Sequence, residues 1–76
     1  MNTNMWEVSW SQSVGNIDFE TTSIIEAVSA TDAVVKFIQL FNTTANNIDW
    51  EKQIFRAEKN YTFFLFIYEN GGLRRI

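Results

Sequence analysis

The side chains able to do chemistry in this 76-residue chain are few, and their types narrow the options at once. There is no His and no Cys. The common zinc and iron–sulfur ligand sets are therefore missing, and no disulfide framework can form. Ser9, Ser11 and Ser13 have no imidazole to activate them as nucleophiles. Two carboxylate pairs, Glu7 with Glu20 and Asp49 with Glu51, have the spacing for acid–base work, which requires burial to separate their pKa values. Both pairs fall at positions whose pattern reads as solvent-facing. Gly71-Gly72 follows a strand and opens no helix, so it is not a phosphate loop. Arg74-Arg75 has the forked donors that hold phosphate or carboxylate, but at this length it reads as a solvated tail. The expectation is a protein that is not an enzyme and that carries no cofactor and no metal.

Binding chemistry is better represented. Nine Asp and Glu against six Lys and Arg leave a net charge of −3, which gives no general attraction to nucleic acid or anionic membranes. The acids concentrate early. Residues 1–48 hold Glu7, Asp18, Glu20, Glu26 and Asp32 against Lys36 alone, whereas the remainder is nearly balanced. Carboxylates two residues apart on a strand lie about 7 Å apart, close to the phosphate repeat of a nucleic acid. Such a row can occupy a basic groove, although acids on a sheet face also simply keep it soluble and unpaired.

The elements that must position these groups are legible in part. Trp6, Val8 and Trp10 alternate with Glu7, Ser9 and Ser11, the pattern of a half-buried strand. After a turn over Gln12 to Asn16, in which Gly15-Asn16 tolerate positive φ, a second strand places Ile17, Phe19, Ile25 and Ala27 opposite Asp18, Glu20 and Glu26. Ser29 and Asp32 form a capping arrangement for a helix. Its stripe is Ala30, Ala33, Val34, Phe37, Ile38 and Phe41, and it ends in the Asn-rich stretch 42–47. Residues 48–58 fit a strand or a short helix. The strand is preferred because the next segment needs a neighbour, with Glu58-Lys59-Asn60 as the turn between them. Tyr61 to Glu69 is apolar on both faces, as expected of an interior strand. Asn70-Gly71 then signals another turn, after which residues 73–76 either form a short edge strand or trail loosely; residues 1–4 show no pattern and are expected to be flexible. The predicted fold is α+β, in the order β-β-α-β-β. A single domain over 1–76 would hold an antiparallel four-stranded sheet with one helix on one face.

One helix cannot cover two sheet faces. The uncovered side of the last long strand is expected to present Phe64, Phe66 and Tyr68 or, in the opposite phase, Tyr61, Phe63 and Ile67. Apolar rings left open amount to a patch of the size that marks a binding surface. The expected partner-binding residues are Glu7, Asp18 and Glu20 as the electrostatic element and Phe64, Phe66 and Tyr68 as apolar anchors. A helical reading of 48–58 would instead enclose the rings. The alternatives to a protein partner are a structural homodimer and stacked single-stranded nucleic acid, the latter short of surrounding bases. No basic-then-apolar leader precedes Trp6. The longest apolar run, Phe63 to Tyr68, is far below the roughly 20 residues of a membrane helix. A cytoplasmic protein without membrane contact is expected.

Trp6-Glu7-Val8, Phe19-Glu20-Thr21 and the run Glu26 to Ala33 leading into an amphipathic helix resemble small phage-encoded single-domain proteins. Some of these are anti-CRISPR-like or other anti-defence inhibitors, or host-takeover factors. The resemblance covers residues 6–41 and assigns no functional residue. It implies a stoichiometric inhibitor or regulator that occupies a surface of a larger host machine.

Overall fold

The computed structural model describes residues 2–14, 16–44 and 48–76, and of Gln12, Ser13, Val14, Phe19, Thr43 and Thr44 the backbone only. Strands β1 (Asn4–Val14) and β2 (Ile17–Ala27) lead into helix α1 (Ala30–Thr44). Strands β3 (Ile54–Lys59), β4 (Thr62–Glu69) and β5 (Gly72–Arg75) follow it. They form one antiparallel five-stranded sheet in the order β2-β1-β3-β4-β5, with α1 packed on one face. The α+β class and the single helix layer match expectation, but the sheet has five strands, not four. The fifth follows from the turn chemistry. Asn70 and Gly71 have φ of 56° and 81°, the double left-handed geometry that returns a strand beside its predecessor.

The first hairpin pairs without interruption from Asn4 opposite Ala27 to Val14 opposite Ile17, so Thr21-Thr22-Ser23 carries no bulge. Gln12 to Val14, expected in the turn, instead continue β1 in register with β2, and Gly15 lies outside the described residues. The chain then crosses over β1 through α1 and pairs β3 on the far side of β1, from Glu7 opposite Glu58 to Ser11 opposite Ile54. Only five residues of β1 have a β3 partner, so the hairpin extends past the rest of the sheet and the molecule measures 40 × 24 × 23 Å. This projection explains why Ile17, expected beneath the helix, is 60% exposed.

The helix begins as its sequence predicts. The Asp32 N–H donates to Ser29 Oγ at 3.1 Å, and the Val28 N–H donates to the Asp32 carboxylate at 3.3 Å. A cap of this kind stabilises by about 1 kcal/mol. The helix runs past Asn42, which accepts the Trp50 indole N–H on its side-chain oxygen at 3.0 Å. It ends within the expected stretch 42–47, of which residues 45–47 lie outside the described residues. Residues 48–53 are neither strand nor helix. They form a turn-rich approach that drops Trp50 into the core, and the strand begins only at Ile54.

The core lies between the helix and one face of the sheet: Trp6, Val8 and Trp10 from β1, Phe55 and Ala57 from β3, Phe66 from β4, and Val34, Phe37 and Ile38 from α1. Its centre is aromatic. Trp10 and Trp50 approach to 4.7 Å between ring centroids, and Phe37 lies 6.1 Å from Phe55, edge to face. Each indole N–H is used. Trp6 donates to the Ala27 carbonyl, Trp10 to the Gln53 side-chain oxygen and Trp50 to Asn42. A small chain without disulfides has little else to hold it.

Candidate functional site: the open face of the sheet

Strand register decides which side chains the helix leaves uncovered. β3 and β4 are joined by a two-residue turn at Asn60-Tyr61, both with positive φ, which pairs Lys59 with Thr62 and Phe55 with Phe66. Directly opposed residues share a face. Phe64, Phe66 and Tyr68 therefore lie on the helix side with Phe55 and Ala57. Phe66 is 3% exposed, Phe64 and Tyr68 pack against the core, and the Arg75 guanidinium sits 4.3 Å over the Phe64 ring. This corrects their expected place on the open face. A three-residue turn over Glu58-Lys59-Asn60 would set Ala57 against Tyr61 and turn those rings outward. The turn one residue shorter inverts the whole strand.

The open face presents the other set. Phe63 is 56% and Ile54 46% exposed, with Leu65 and Ile67 half-buried between them. Ile76, whose N–H donates to the Leu65 carbonyl, continues the β5 register at the rim. Met5 and Ile24 lie across the sheet on β1 and β2. Glu7, Asp18 and Glu20 do share this face, as the alternation of the first hairpin predicts, and Glu26 and Glu58 join them. Asp18, Glu20 and Glu26 lie on edge strand β2, where like charge discourages a further strand from pairing.

Two arrangements were not visible in the sequence. First, Glu7 and Glu58 are directly opposed on β1 and β3. Cβ atoms of such a pair lie about 5 Å apart, and like charges there are destabilising. Neither makes an ion pair among the described residues. They line a depression of about 350 Å³ with Met5, Ile24, Lys59, Asn60 and Tyr61. The Lys59 ammonium itself lies on the helix side, 5.2 Å over the Trp6 ring. Second, Arg56 sits mid-face between Ser9 and Leu65 with its Nε buried and without a hydrogen-bond partner. Leaving such a donor unsatisfied costs about 1–3 kcal/mol. Lysine carries a methylene where arginine carries Nε, so Arg56→Lys removes the orphan donor and keeps the charge. It is expected to stabilise the fold by about 1 kcal/mol. That is a rise in Tm of about 4–8 °C, read by thermal denaturation. An unchanged or lower Tm would show that the donor is no burden.

At the β4–β5 end the charges are used internally. Lys52 Nζ and Arg74 Nη2 each lie 2.9 Å from the Glu69 carboxylate. These hydrogen bonds, Lys52 first and then Arg74, hold the Glu69 carboxyl below its ordinary value. With the folded pKa depressed, the stabilisation is present above the ordinary glutamate range. It is lost as pH falls through the lowered value. A carbon-13 titration of the Glu69 carboxyl should show its midpoint move up in Lys52→Gln/Arg74→Gln, and an unmoved midpoint would refute the assignment. Arg74 and Arg75 are exposed, as expected, but they belong to β5 and are engaged within the chain, one with Glu69 and one with Phe64.

The carboxylate pairs considered for acid–base chemistry do not form. Glu7 opposes Ile24 while Glu20 opposes Ser11, four residues further along, or about 13 Å. Asp49 accepts the Glu51 N–H, and Glu51 accepts the Asn70 N–H. No group of His, Cys, Asp and Glu among the described residues is placed to hold a metal ion, and no described helix is long and apolar enough to cross a membrane. A further apolar groove of about 340 Å³ lies on the opposite side, between α1 and β5, lined by Val35, Ile38, Tyr68 and Leu73 among others.

Comparison with known protein families, with curated proteins and with solved structures finds no match to this chain.

Proposed function

We propose that the chain is a non-enzymatic protein-binding module that docks a partner on the open face of its sheet. It would act stoichiometrically, as the inhibitor or regulator of a larger assembly that the phage-protein resemblance implies, inside the cytoplasm. The observation that carries this reading is the uncovered apolar set on one sheet face, Phe63, Ile54 and Ile76 around the half-buried Leu65 and Ile67. A 76-residue chain has little apolar surface to spare from its own core, so leaving this much outside calls for an occupant. The acids of β1 and β2 border the patch and would set orientation and on-rate. The same acids argue against stacked single-stranded nucleic acid, because a stacking platform needs cations beside its rings to hold the phosphates.

A photoreactive phenylalanine analogue tests the reading. Placed at position 63 it should crosslink a partner in a lysate of the source cells, and the mass of the intact complex gives identity and stoichiometry together. The same probe at position 35, on the exposed side of the helix, should capture nothing. Equal capture at both positions, or capture only at 35, would remove the open face from the proposal.

A further inference from the structure

The proposed function leaves the occupant of the face undefined, and the arrangement of charge on that face narrows it. Across the sheet, one row runs Ile24, Glu7, Glu58, Phe63, and the next runs Thr22, Ser9, Arg56, Leu65. With Asp18, Glu20 and Glu26 in the flanking rows, the acids of this face lie on β1 and β2 and the β4 half is apolar, while β3 between them holds Glu58 opposite Glu7 and Arg56 opposite Ser9. A second copy fits this pattern badly. A twofold axis perpendicular to the strands lays each strand over its own copy, so the β2 acids Glu20 and Glu26 meet their equivalents even as the apolar residues of β4 meet theirs. An axis along the strands near β3 lays the acids of β1 and β2 over the apolar residues of β4.

Resting on the protein-binding reading above, we propose that the occupant is a different polypeptide. It presents Lys or Arg beside an apolar strip, and one of its cationic side chains seats between Glu7 and Glu58. The depression there is shaped for such a group. Met5, Ile24 and the 99% exposed Tyr61 wall it and would sheathe an aliphatic stem, while the two carboxylates meet the charged head. Arrival of that cation relieves the repulsion between two opposed carboxylates that make no ion pair among the described residues. The neighbouring apolar strip of the partner covers Phe63, Leu65 and Ile54. The complementarity is one of charge and of greasy surface side by side, and it is directional.

Three labelled 14-residue helical peptides test this against the intact protein. One carries a Leu/Phe strip beside a Lys strip, the second has Glu in place of each Lys, and the third has Gln there. Anisotropy should show the Lys peptide binding most tightly, with an affinity that falls as salt rises. Amide and methyl shifts should move at Met5, Glu7, Ile24, Glu58 and Phe63, and stay still on α1. Glu7→Gln/Glu58→Gln, which eases a like-charge contact and so keeps the fold, should weaken the Lys peptide about tenfold and leave the Gln peptide unchanged. If the Gln peptide binds the same face as tightly as the Lys peptide, the cation inference is wrong while the protein-binding reading stands. If sedimentation shows a dimer that Phe63→Thr dissociates, a second copy is the occupant and the inference is equally overturned. If no peptide moves any open-face signal and the protein stays monomeric, both this inference and the reading beneath it fail.

Discussion

Phe55→Ala is expected to bring the chain to the edge of unfolding. The ring is fully buried, and it meets Trp10 at 6.2 Å, Trp50 at 5.8 Å and Phe37 at 6.1 Å. Deleting it removes the transfer energy of a whole aromatic side chain and leaves a hole that a helix on one side and a sheet on the other cannot close. Together these cost about 3–5 kcal/mol. A chain of this size has roughly 4–11 kcal/mol in total, at about 0.05–0.15 kcal/mol per residue. The Tm should fall by at least about 12 °C, accompanied by loss of the near-ultraviolet signal from the tryptophans. Phe63→Ala supplies the contrast, since Phe63 is a phenylalanine of the same sheet with its ring on the other side. With 56% of its surface already in water, its loss should cost well under 1 kcal/mol. Equal losses from the two variants would mean that the face assignment of β4 is wrong.

Phe63→Thr should produce the largest functional effect without a structural one. Threonine suits a strand and avoids adding an acid beside Glu58, so the fold should melt within a few degrees of the parent. Phe63 is the most exposed of the apolar side chains that β4 presents on this face, and aromatic residues tend to carry a disproportionate share of an interface's energy. Affinity for the crosslinked partner should drop thirtyfold or more, the consequence of losing about 2 kcal/mol, mainly through faster dissociation. Val35→Glu on the exposed side of the helix is the matched control and should change the affinity little. Loss of affinity in Val35→Glu with retention in Phe63→Thr would move the interface to the groove between α1 and β5.

Local signals carried the elements further than they carried the surface. Alternation around Trp6, Val8 and Trp10 sufficed for the centre of β1 though not for its ends at Asn4 and Val14, and Ser29 with Asp32 sufficed for the start of the helix, because both are short-range effects. Asn70-Gly71 announced a turn, but the few residues after it fit a short edge strand and a loose tail equally well, because so short a segment carries no alternation of its own. The face of β4 was a different matter. A strand apolar on both sides offers two equally consistent phases, and turn length alone chooses between them. Placing the turn over Glu58-Lys59-Asn60 and not Asn60-Tyr61 therefore exchanged Phe64, Phe66 and Tyr68 for Phe63, Leu65 and Ile67. The opposition of Glu7 and Glu58 was beyond local reading altogether. It depends on the pairing of β1 with β3, strands separated by a second strand and a helix, and on a register that no turn connects.

The two tight turns of the C-terminal half differ in a way that bears on the order of assembly. Asn70 and Gly71 suit the left-handed backbone they adopt, whereas Tyr61 holds φ of 66°, a geometry that costs a residue with a Cβ about 1–2 kcal/mol. The ribbon of β4 and β5 can therefore close on its own local bias and serve as a template. The ribbon of β3 and β4 must wait for burial of Phe55 and Phe66 to outweigh its reluctant corner. Of these two ribbons, local bias therefore favours closure of β4 with β5 ahead of β3 with β4.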